Sequence, residues 1–352
     1  MIHKINRGNP MKNFINYFYN LNVDNIRQIN NNYYFKYLNK NFVFYQIVNL
    51  LLEPESILEI NNIILQHNNG NFYQIVMNKD KKIITNVYNK KYVLMLENAT
   101  DDRIIDYYDV IDSNFSITKL NKAIDHSNKL DWVPMWQNKI DYFETYINHN
   151  INKYPELNVY YNYFIGLSEA ANLYLKNTIK DVEPSMEDNF VISHKRISNN
   201  TSLKQLYNPV ELIIDHPSRD LSEYLKMIFW NKNYQNEDIG QYLENTIHSN
   251  YGARVLFSRM LFPSFFFDAF ENLVNDKIKT TDILSMVDKM NDYEDYIFTI
   301  YDRLNQMYSI PSVDWIKKAD YSSTLTTPKT SGISFTSIDS MPSLSVTSIM
   351  LQ

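Results

Sequence analysis

Short apolar runs separated by polar breaks make up the first hundred residues of the chain, a pattern typical of β-strands. Five runs rich in aromatic and β-branched residues predict strands over residues 33–37, 42–47, 72–77, 82–88 and 92–96. Residues 39–41, Asn-Lys-Asn, indicate a hairpin between the first two strands. Residues 50–67 carry apolar side chains three and four positions apart, which predicts a helix. The pattern therefore predicts a five-stranded antiparallel sheet with one helix.

Beyond about residue 98 the apolar positions recur every three or four residues, which favours helices. One helix face is predicted by Trp136, Ile140, Phe143, Ile147, Ile151 and Tyr154. A second face is predicted by Phe164, Leu167, Ala171, Tyr174 and Leu175, and further helices by residues 221–230, 239–247, 253–261, 265–274 and 283–307. Two short apolar runs, Phe190–Ser193 and Val210–Ile214, predict strands on either side of a polar loop.

These elements predict an α+β fold with two lobes and a hinge near residues 97–100. Residues 11–97 form the small antiparallel β-rich lobe, and residues 98–318 form a larger, mainly helical lobe. Residues 1–10 have no such pattern and are interpreted as a flexible N-terminal extension. Residues 319–352 are rich in Ser and Thr without helical or alternating periodicity, so they are expected to be a disordered tail.

Composition excludes several classes of function. The chain has no cysteine, which excludes disulfides, thiolate metal sites and a cysteine nucleophile. Its formal net charge of -6 disfavours nucleic-acid binding, because neutralising phosphates needs clustered Lys and Arg. No apolar run reaches the roughly 18 residues that a membrane helix needs, so cytoplasmic synthesis is expected. The 28 tyrosines are interpreted as the mark of an AT-rich genome rather than of a tyrosine-specific function.

The polar loop between the two short strands resembles the catalytic region of known phosphotransferases. Residues 191–201 are Val-Ile-Ser-His-Lys-Arg-Ile-Ser-Asn-Asn-Thr, and residues 211–221 are Glu-Leu-Ile-Ile-Asp-His-Pro-Ser-Arg-Asp-Leu. This resembles the aminoglycoside-phosphotransferase-like pattern, in which His-Gly-Asp is followed by an Asn five residues after that Asp, then Ile-Asp, then Asp-Leu opening a helix. The resemblance implies a bilobal protein-kinase-like fold.

The chain is similar, more closely still, to the kinase-like spore coat proteins of the CotS and YutH type. Four further segments carry this resemblance, at residues 163–171, 215–224, 253–267 and 310–315. The similarity extends over roughly residues 11–315 and implies a role in the spore coat.

In the resembled enzymes a lysine on the third strand, oriented by a helix glutamate, holds the ATP phosphates. Here no Lys or Arg occurs between Lys40 and Lys79, and the third-strand position falls on Tyr45 or Gln46. The helix acids Glu53, Glu55 and Glu59 therefore lack a cationic partner and are expected to be solvated. The chain has only six glycines and no phosphate-cradling glycine motif.

The catalytic loop implied by the resemblance is degenerate. His194 is present, but Arg196 stands where an aspartate would accept the substrate proton, and arginine cannot accept one. A spacing of five residues from Arg196 ends at Thr201, with Asn199 and Asn200 close by. The degenerate set is therefore His194, Arg196 and Asn200, and His194 is interpreted as a structural residue rather than a base.

Asp215 is the remaining candidate metal ligand, since it ends an apolar strand as the metal-binding aspartate of the resembled enzymes does. A lone Asp rarely holds Mg²⁺ without a second ligand. The alternative is an ion pair with Arg196 or Arg219, or a capping role before the helix from Leu221. Asp220 is expected to cap or brace that same helix.

Three interpretations of function stay open at this point. The first is a catalytically degenerate kinase-like protein without a cofactor, deposited on the spore coat in contact with other coat proteins. The second is a divergent, active phosphotransferase that acts on a small molecule or a protein with Mg-ATP, using Asp215 and Asn200. The third is a binding module that uses the kinase-type cleft for another ligand.

Overall fold

The computed structural model describes residues 10–48, 50–67, 72–98, 103–114, 131–198, 201–230 and 234–314. All of them belong to one packed unit, residues 1–317. The predicted tail and residues 1–9 of the predicted N-terminal extension lie outside the described residues, whereas Pro10 is already helical. None of the described helices is long and apolar enough to cross a bilayer.

The small lobe is built on a six-stranded antiparallel sheet, one strand more than predicted. Its strands are β1 (Ile26–Ile29), β2 (Asn32–Tyr37), β3 (Lys40–Ile47), β4 (Tyr73–Val76), β5 (Ile84–Val87) and β6 (Lys90–Glu97). The order is β1-β2-β3-β6-β4, and β5 also pairs with β6. The prediction missed β1 because this edge strand buries no residue fully and therefore leaves no apolar alternation in the sequence.

Two helices cover the small lobe, where one was predicted. Helix α2 (Pro54–His67) confirms the predicted helix but begins four residues later, at Pro54, whose fixed backbone suits the first helical position. The unpredicted α1 (Pro10–Tyr19) buries Met11, Ile15 and Tyr19, which are four residues apart. These side chains pack in one cluster with residues of the sheet.

The large lobe is mainly helical, as predicted. Its helices are α3 (Tyr107–Ser113), α4 (Trp132–Asn150), α5 (Asn158–Asp181), α6 (Leu203–Leu206), α7 (Ser218–Trp230), α8 (Ile239–Thr246), α9 (Asn250–Leu261), α10 (Ser264–Val274), α11 (Thr280–Val287) and α12 (Met290–Tyr308). The single helix predicted over residues 283–307 is two helices. Its apolar spacing continues across the break because Ile283, Met290 and Tyr293 join one core, so spacing alone does not reveal the break.

A two-stranded antiparallel ribbon, β7 (Val191–His194) and β8 (Leu212–Asp215), carries the candidate loop between its strands. The buried side chains of Ile192, Leu212 and Ile214 pack in one apolar cluster with residues of the small lobe, Val43, Ile57, Ile60, Val93 and Met95 among them. This shared core fixes the loop relative to the small-lobe sheet.

A buried carboxylate ties the ribbon to two helices of the large lobe. Asp188 accepts hydrogen bonds from His216 Nε2 at 3.0 Å, from the Ser249 hydroxyl and from the backbone N–H of Ser185 at 2.7 Å. Burial would raise the pKa of Asp188, but these hydrogen bonds hold it at about 2. His216 precedes α7 and Ser249 precedes α9, so one ionised side chain anchors the start of both helices.

Gly252, in the first turn of α9, offers a test of this anchor. A Cβ there would lie 3.0 Å from Ser249 Oγ, 3.1 Å from Asp188 Oδ1 and 3.2 Å from His216 Cε1. Because Asp188 and His216 are buried and hydrogen-bonded, they have little freedom to move aside. We expect Gly252→Ala to lower the free energy of unfolding by about 1–3 kcal/mol, the usual cost of overpacking, although alanine is the better helix former.

Gly166→Ala is the matched control, because Gly166 is an exposed helical glycine in α5 whose added Cβ would meet no atom within 4 Å. It is expected to raise the free energy of unfolding by about 0.5–1 kcal/mol. Urea denaturation followed by circular dichroism measures both values. Equal stabilisation by the two alanines would contradict the packing around Asp188.

Candidate functional site

His194 ends β7 with both ring nitrogens engaged. Its Nδ1 donates to Asp220 Oδ2 at 2.7 Å, and its Nε2 donates to the Leu206 carbonyl at 2.9 Å. Burial favours the neutral ring, but the Asp220 carboxylate outweighs it and raises the pKa of His194. With both nitrogens donating, the ring has no lone pair with which to take a substrate proton.

Asp220 lies in the first turn of α7, but its side chain braces the end of β7 rather than that helix. Its Oδ1 accepts the backbone N–H of His194 at 2.8 Å, while its Oδ2 accepts the ring. The side chain is fully buried in the first turn of α7. Asp220 thus fixes both the backbone and the side chain of the first loop residue.

Arg196 lies two residues further on, where the resemblance implies an acid. Its Nη1 lies 3.2 Å from Glu223 Oε1 on α7, and its Nε lies 3.4 Å from Asp268 Oδ2 on α10. Burial would raise the pKa of Glu223, but Arg196 and neighbouring cations lower it to about 2. The guanidinium is therefore held by two carboxylates, and its side chain remains 42% exposed.

Asp215, at the end of β8, is buried and surrounded by donors. Arg259 Nη2 lies 2.7 Å from Oδ1 and 2.9 Å from Oδ2. Trp132 Nε1 donates to Oδ1 at 3.0 Å, and the backbone N–H of His216 donates to the same oxygen at 2.7 Å. The expected partner was Arg196 or Arg219, but the structure pairs Asp215 with Arg259 of α9.

The other residues that the sequence singled out in this loop are only partly described by the structure. Asn199 and Asn200 lie outside the described residues. Thr201 is buried, and its Oγ1 accepts the Ser198 N–H at 2.8 Å within the loop. Among the described residues no group of three or more His, Asp or Glu side chains is arranged to hold a metal ion.

Tyr45 occupies the third-strand region where the enzymes place a lysine. Its hydroxyl donates to Glu211 Oε1 at 3.2 Å, directly before β8. Burial, reinforced by the Glu211 charge, raises the pKa of Tyr45, so the phenol stays neutral. A hydrogen bond from a neutral phenol to a carboxylate therefore joins the lobes at this point. The acids at the start of α2 lie towards solvent: Glu53, just before the helix, and Glu55 are exposed, and Glu59 is partly exposed.

A Ser–His–Asp row near the site resembles a hydrolytic triad but is structural. Ser218 Oγ lies 2.8 Å from His216 Nδ1, and His216 Nε2 bonds to Asp188. Ser218 is fully buried in the first turn of α7, so no substrate carbonyl could reach its hydroxyl. The backbone N–H of Ser218 also donates to Nδ1, at 3.0 Å. This satisfies one of the first N–H groups of α7, which have no acceptor within the helix.

The residues that the sequence did not reveal are Trp132, Glu223, Lys226 and Arg259. Two guanidinium groups lie close to the Trp132 ring, with carbons 4.8 Å (Arg219) and 4.9 Å (Arg259) from its centroid. On α7, Arg219, Glu223 and Lys226 are spaced by four and three residues, a row that sequence alone would assign to a solvated face. The structure buries all three, which places several charges around one point.

Comparison with solved structures supports the kinase-like fold. Spectinomycin phosphotransferase in complex with ADP and spectinomycin superposes with a TM-score of 0.52 at 11% identity, covering 84% of this chain and 97% of the enzyme. An aminoglycoside phosphotransferase from Alicyclobacillus acidocaldarius gives a TM-score of 0.50 at 9% identity, with coverage of 88% and 99%. At these identities the likeness concerns the fold alone, and it confirms the predicted fold class.

Sequence comparison gives a narrower relationship. The Bacillus subtilis (strain 168) protein named "Endospore coat-associated protein YutH" is 29% identical over 210 residues, which is 53% of this chain and 61% of that protein. The match thus spans less than two thirds of the relative's length. The family described as "Spore coat putative kinase YutH" matches residues 12–299, well over half of the chain. The chain therefore belongs to this kinase-like spore coat family.

Proposed function

We propose that this protein is a catalytically inactive member of its kinase-like family and works in the spore coat by binding other coat proteins. The observation that carries the proposal is the double placement of arginine at the catalytic centre. Arg196 stands at the position of the proton-accepting acid, and Arg259 holds the candidate metal-binding carboxylate, Asp215.

The electrostatics of Asp215 oppose a magnesium ion. A cation bound to its carboxylate would lie beside the Arg259 guanidinium, which is within 2.9 Å of both oxygens. Two like unit charges about 4 Å apart near a protein surface repel by about 4 kcal/mol, and Mg²⁺ carries two charges. Displacing Arg259 instead would leave that buried guanidinium without its partner, which is also costly.

The proposed location follows from the family and from the endospore coat association of the relative. We infer synthesis in the cytoplasm and deposition on the coat, where the protein acts by binding other proteins through its surface rather than by catalysis. The active alternative, an ATP-dependent phosphotransferase, has no lysine at Tyr45 or Gln46 and no acid at Arg196 to support it. It is the outcome that the first test below is designed to detect.

We expect the purified protein to show no hydrolysis or transfer of the ATP γ-phosphate with Mg²⁺ above background. The lysine, the acid and the free metal ligand each contribute powers of ten to such rates, and they act together. Arg196→Asp alone should remain inactive, because the third strand would still lack its lysine and Arg259 would still hold Asp215. Incorporation of radiolabel from [γ-³²P]ATP measures both proteins.

The control for this assay is Asp215→Ala. Robust turnover in the natural protein that disappears in Asp215→Ala would overturn the proposal and establish the phosphotransferase alternative. Turnover that survives in Asp215→Ala would indicate a contaminating enzyme, and the inactive assignment would then stand.

A second prediction concerns location. A fluorescent fusion should collect on the forespore surface during sporulation and remain with the coat of purified spores. Asp215→Asn, which keeps the shape of the side chain, should localise equally, because the proposed role needs no metal ligand. Diffuse fluorescence of the natural fusion would overturn the coat assignment. Loss of localisation in a folded Asp215→Asn protein, checked by circular dichroism, would show that the carboxylate has more than a structural role.

A further inference from the structure

A small cavity of about 100 Å³ lies beside the degenerate loop, between α4, α7 and α9. Its charged lining is strongly unbalanced, with five cationic side chains and one acid: Lys139, Arg196, Arg219, Lys226, Arg259 and Glu223. The Trp132 ring forms part of the wall, next to the Arg219 and Arg259 guanidinium groups. The cavity is therefore a positively charged space next to the loop that carries His194 and Arg196.

Carboxylates neutralise only part of this charge. Arg259 pairs with Asp215, Arg196 pairs with Glu223 and Asp268, and Lys139 lies 3.5 Å from Asp268. Within the described part of the chain, neither Arg219 nor Lys226 has a carboxylate oxygen within 4.0 Å, although only 5% and 7% of their surfaces are exposed. Arg219 donates to the backbone carbonyls of His194 and Lys195, so its hydrogen bonds are largely satisfied, but carbonyls supply no full negative charge. Buried charges are normally paired with opposite charges, so this cationic excess favours a bound anion.

Two of the lining residues, Arg259 and Lys226, have unused hydrogen-bond donors among the described residues. The Nε of Arg259 is buried and has no acceptor, since Asp215 occupies Nη2 only. The Lys226 ammonium uses one of its three donors, on the Phe262 carbonyl at 2.9 Å. Burial and the neighbouring arginines lower the pKa of Lys226 to about 7, against the opposite effect of Glu223. A bound anion would supply both the acceptors and the missing negative charge.

The size and surroundings of the cavity indicate which anion fits. About 100 Å³ is the space of roughly three water molecules, enough for one tetrahedral oxyanion. Guanidinium and ammonium donors that converge from several directions match the oxygens of a phosphoryl group. A polycationic ligand would be repelled. Arg196, Glu223 and Lys226 also line a more open cleft of about 580 Å³, whose walls include Met227 and Phe265.

We propose that the cavity binds the phosphoryl group of a small phosphomonoester, whose ester group lies in the adjoining cleft. The inference goes beyond the proposed function and does not depend on it, because it requires binding and no transfer. Lys226 and Arg259 donate to the phosphoryl oxygens, and Arg219 neutralises the second charge. Arg196 lies where the cavity opens into the cleft.

Isothermal titration calorimetry with phenyl phosphate and with inorganic phosphate tests the site. We expect phenyl phosphate to bind, and to bind more tightly than inorganic phosphate because its ring contacts the cleft. Lys226→Met keeps the apolar stem and removes the charge, and it should weaken binding about 10- to 100-fold. The matched control Lys180→Met removes one charge from the exposed face of α5 and should leave the affinity unchanged.

Absence of binding by both probes would overturn the inference, as would equal affinities of Lys226→Met and Lys180→Met. Equal affinity for the two probes would overturn the placement of the ester group in the cleft. If Lys226→Met fails to fold, Arg196→Gln replaces it, since that side chain is 42% exposed and its change is better tolerated. ATP turnover in the radiolabel assay would refute the proposed function and leave this site standing, so the two failures are distinguishable.

Discussion

The buried ion pair between Asp215 and Arg259 is the interaction on which the site depends. It joins the end of β8 to α9, and Trp132 brings α4 to the same carboxylate. Removing either partner would leave an uncompensated buried charge, which typically costs about 3–5 kcal/mol. The end of β8, which carries the candidate metal ligand, is therefore held by an arginine.

Around this pair the large lobe arranges its other charges in a connected set. Glu223 faces Arg196, while Asp220 holds His194 through the ring and the backbone. Every loop side chain that the resemblance singles out and the structure describes has a structural partner. The ribbon that carries them shares an apolar core with the small lobe, so the lobes hold the site in one arrangement.

Much of the fold could be predicted because the apolar side chains that become buried recur at regular spacings along the sequence. The faces of α4 and α5 and the strands from β2 to β6 were visible as spacings of three and four or as short apolar runs. The edge strand β1 had no such signal, because it is mostly exposed. Helix α1 did have one, at positions 11, 15 and 19, but its short length concealed it.

The site was less predictable, for a physical reason. The replacement of the motif aspartate by Arg196 could be recognised from the loop sequence, since it concerns the identity of one residue. The partners could not, because Trp132 and Arg259 are 83 and 44 residues away from Asp215 along the chain. Such pairings follow from the packing of helices and leave no local pattern. Without the fold, the buried charges of α7 are indistinguishable from a solvated row.

The two carboxylates around Arg196 also constrain how this sequence can evolve. An acid at position 196 would replace the guanidinium that now pairs with both Glu223 and Asp268, so two ion pairs would become two repulsive contacts. A single substitution there would pass through a destabilised protein before any catalytic benefit arose. Position 196 can change its charge only together with its neighbours on α7 and α10, which makes the present arrangement hard to leave by one-step mutation.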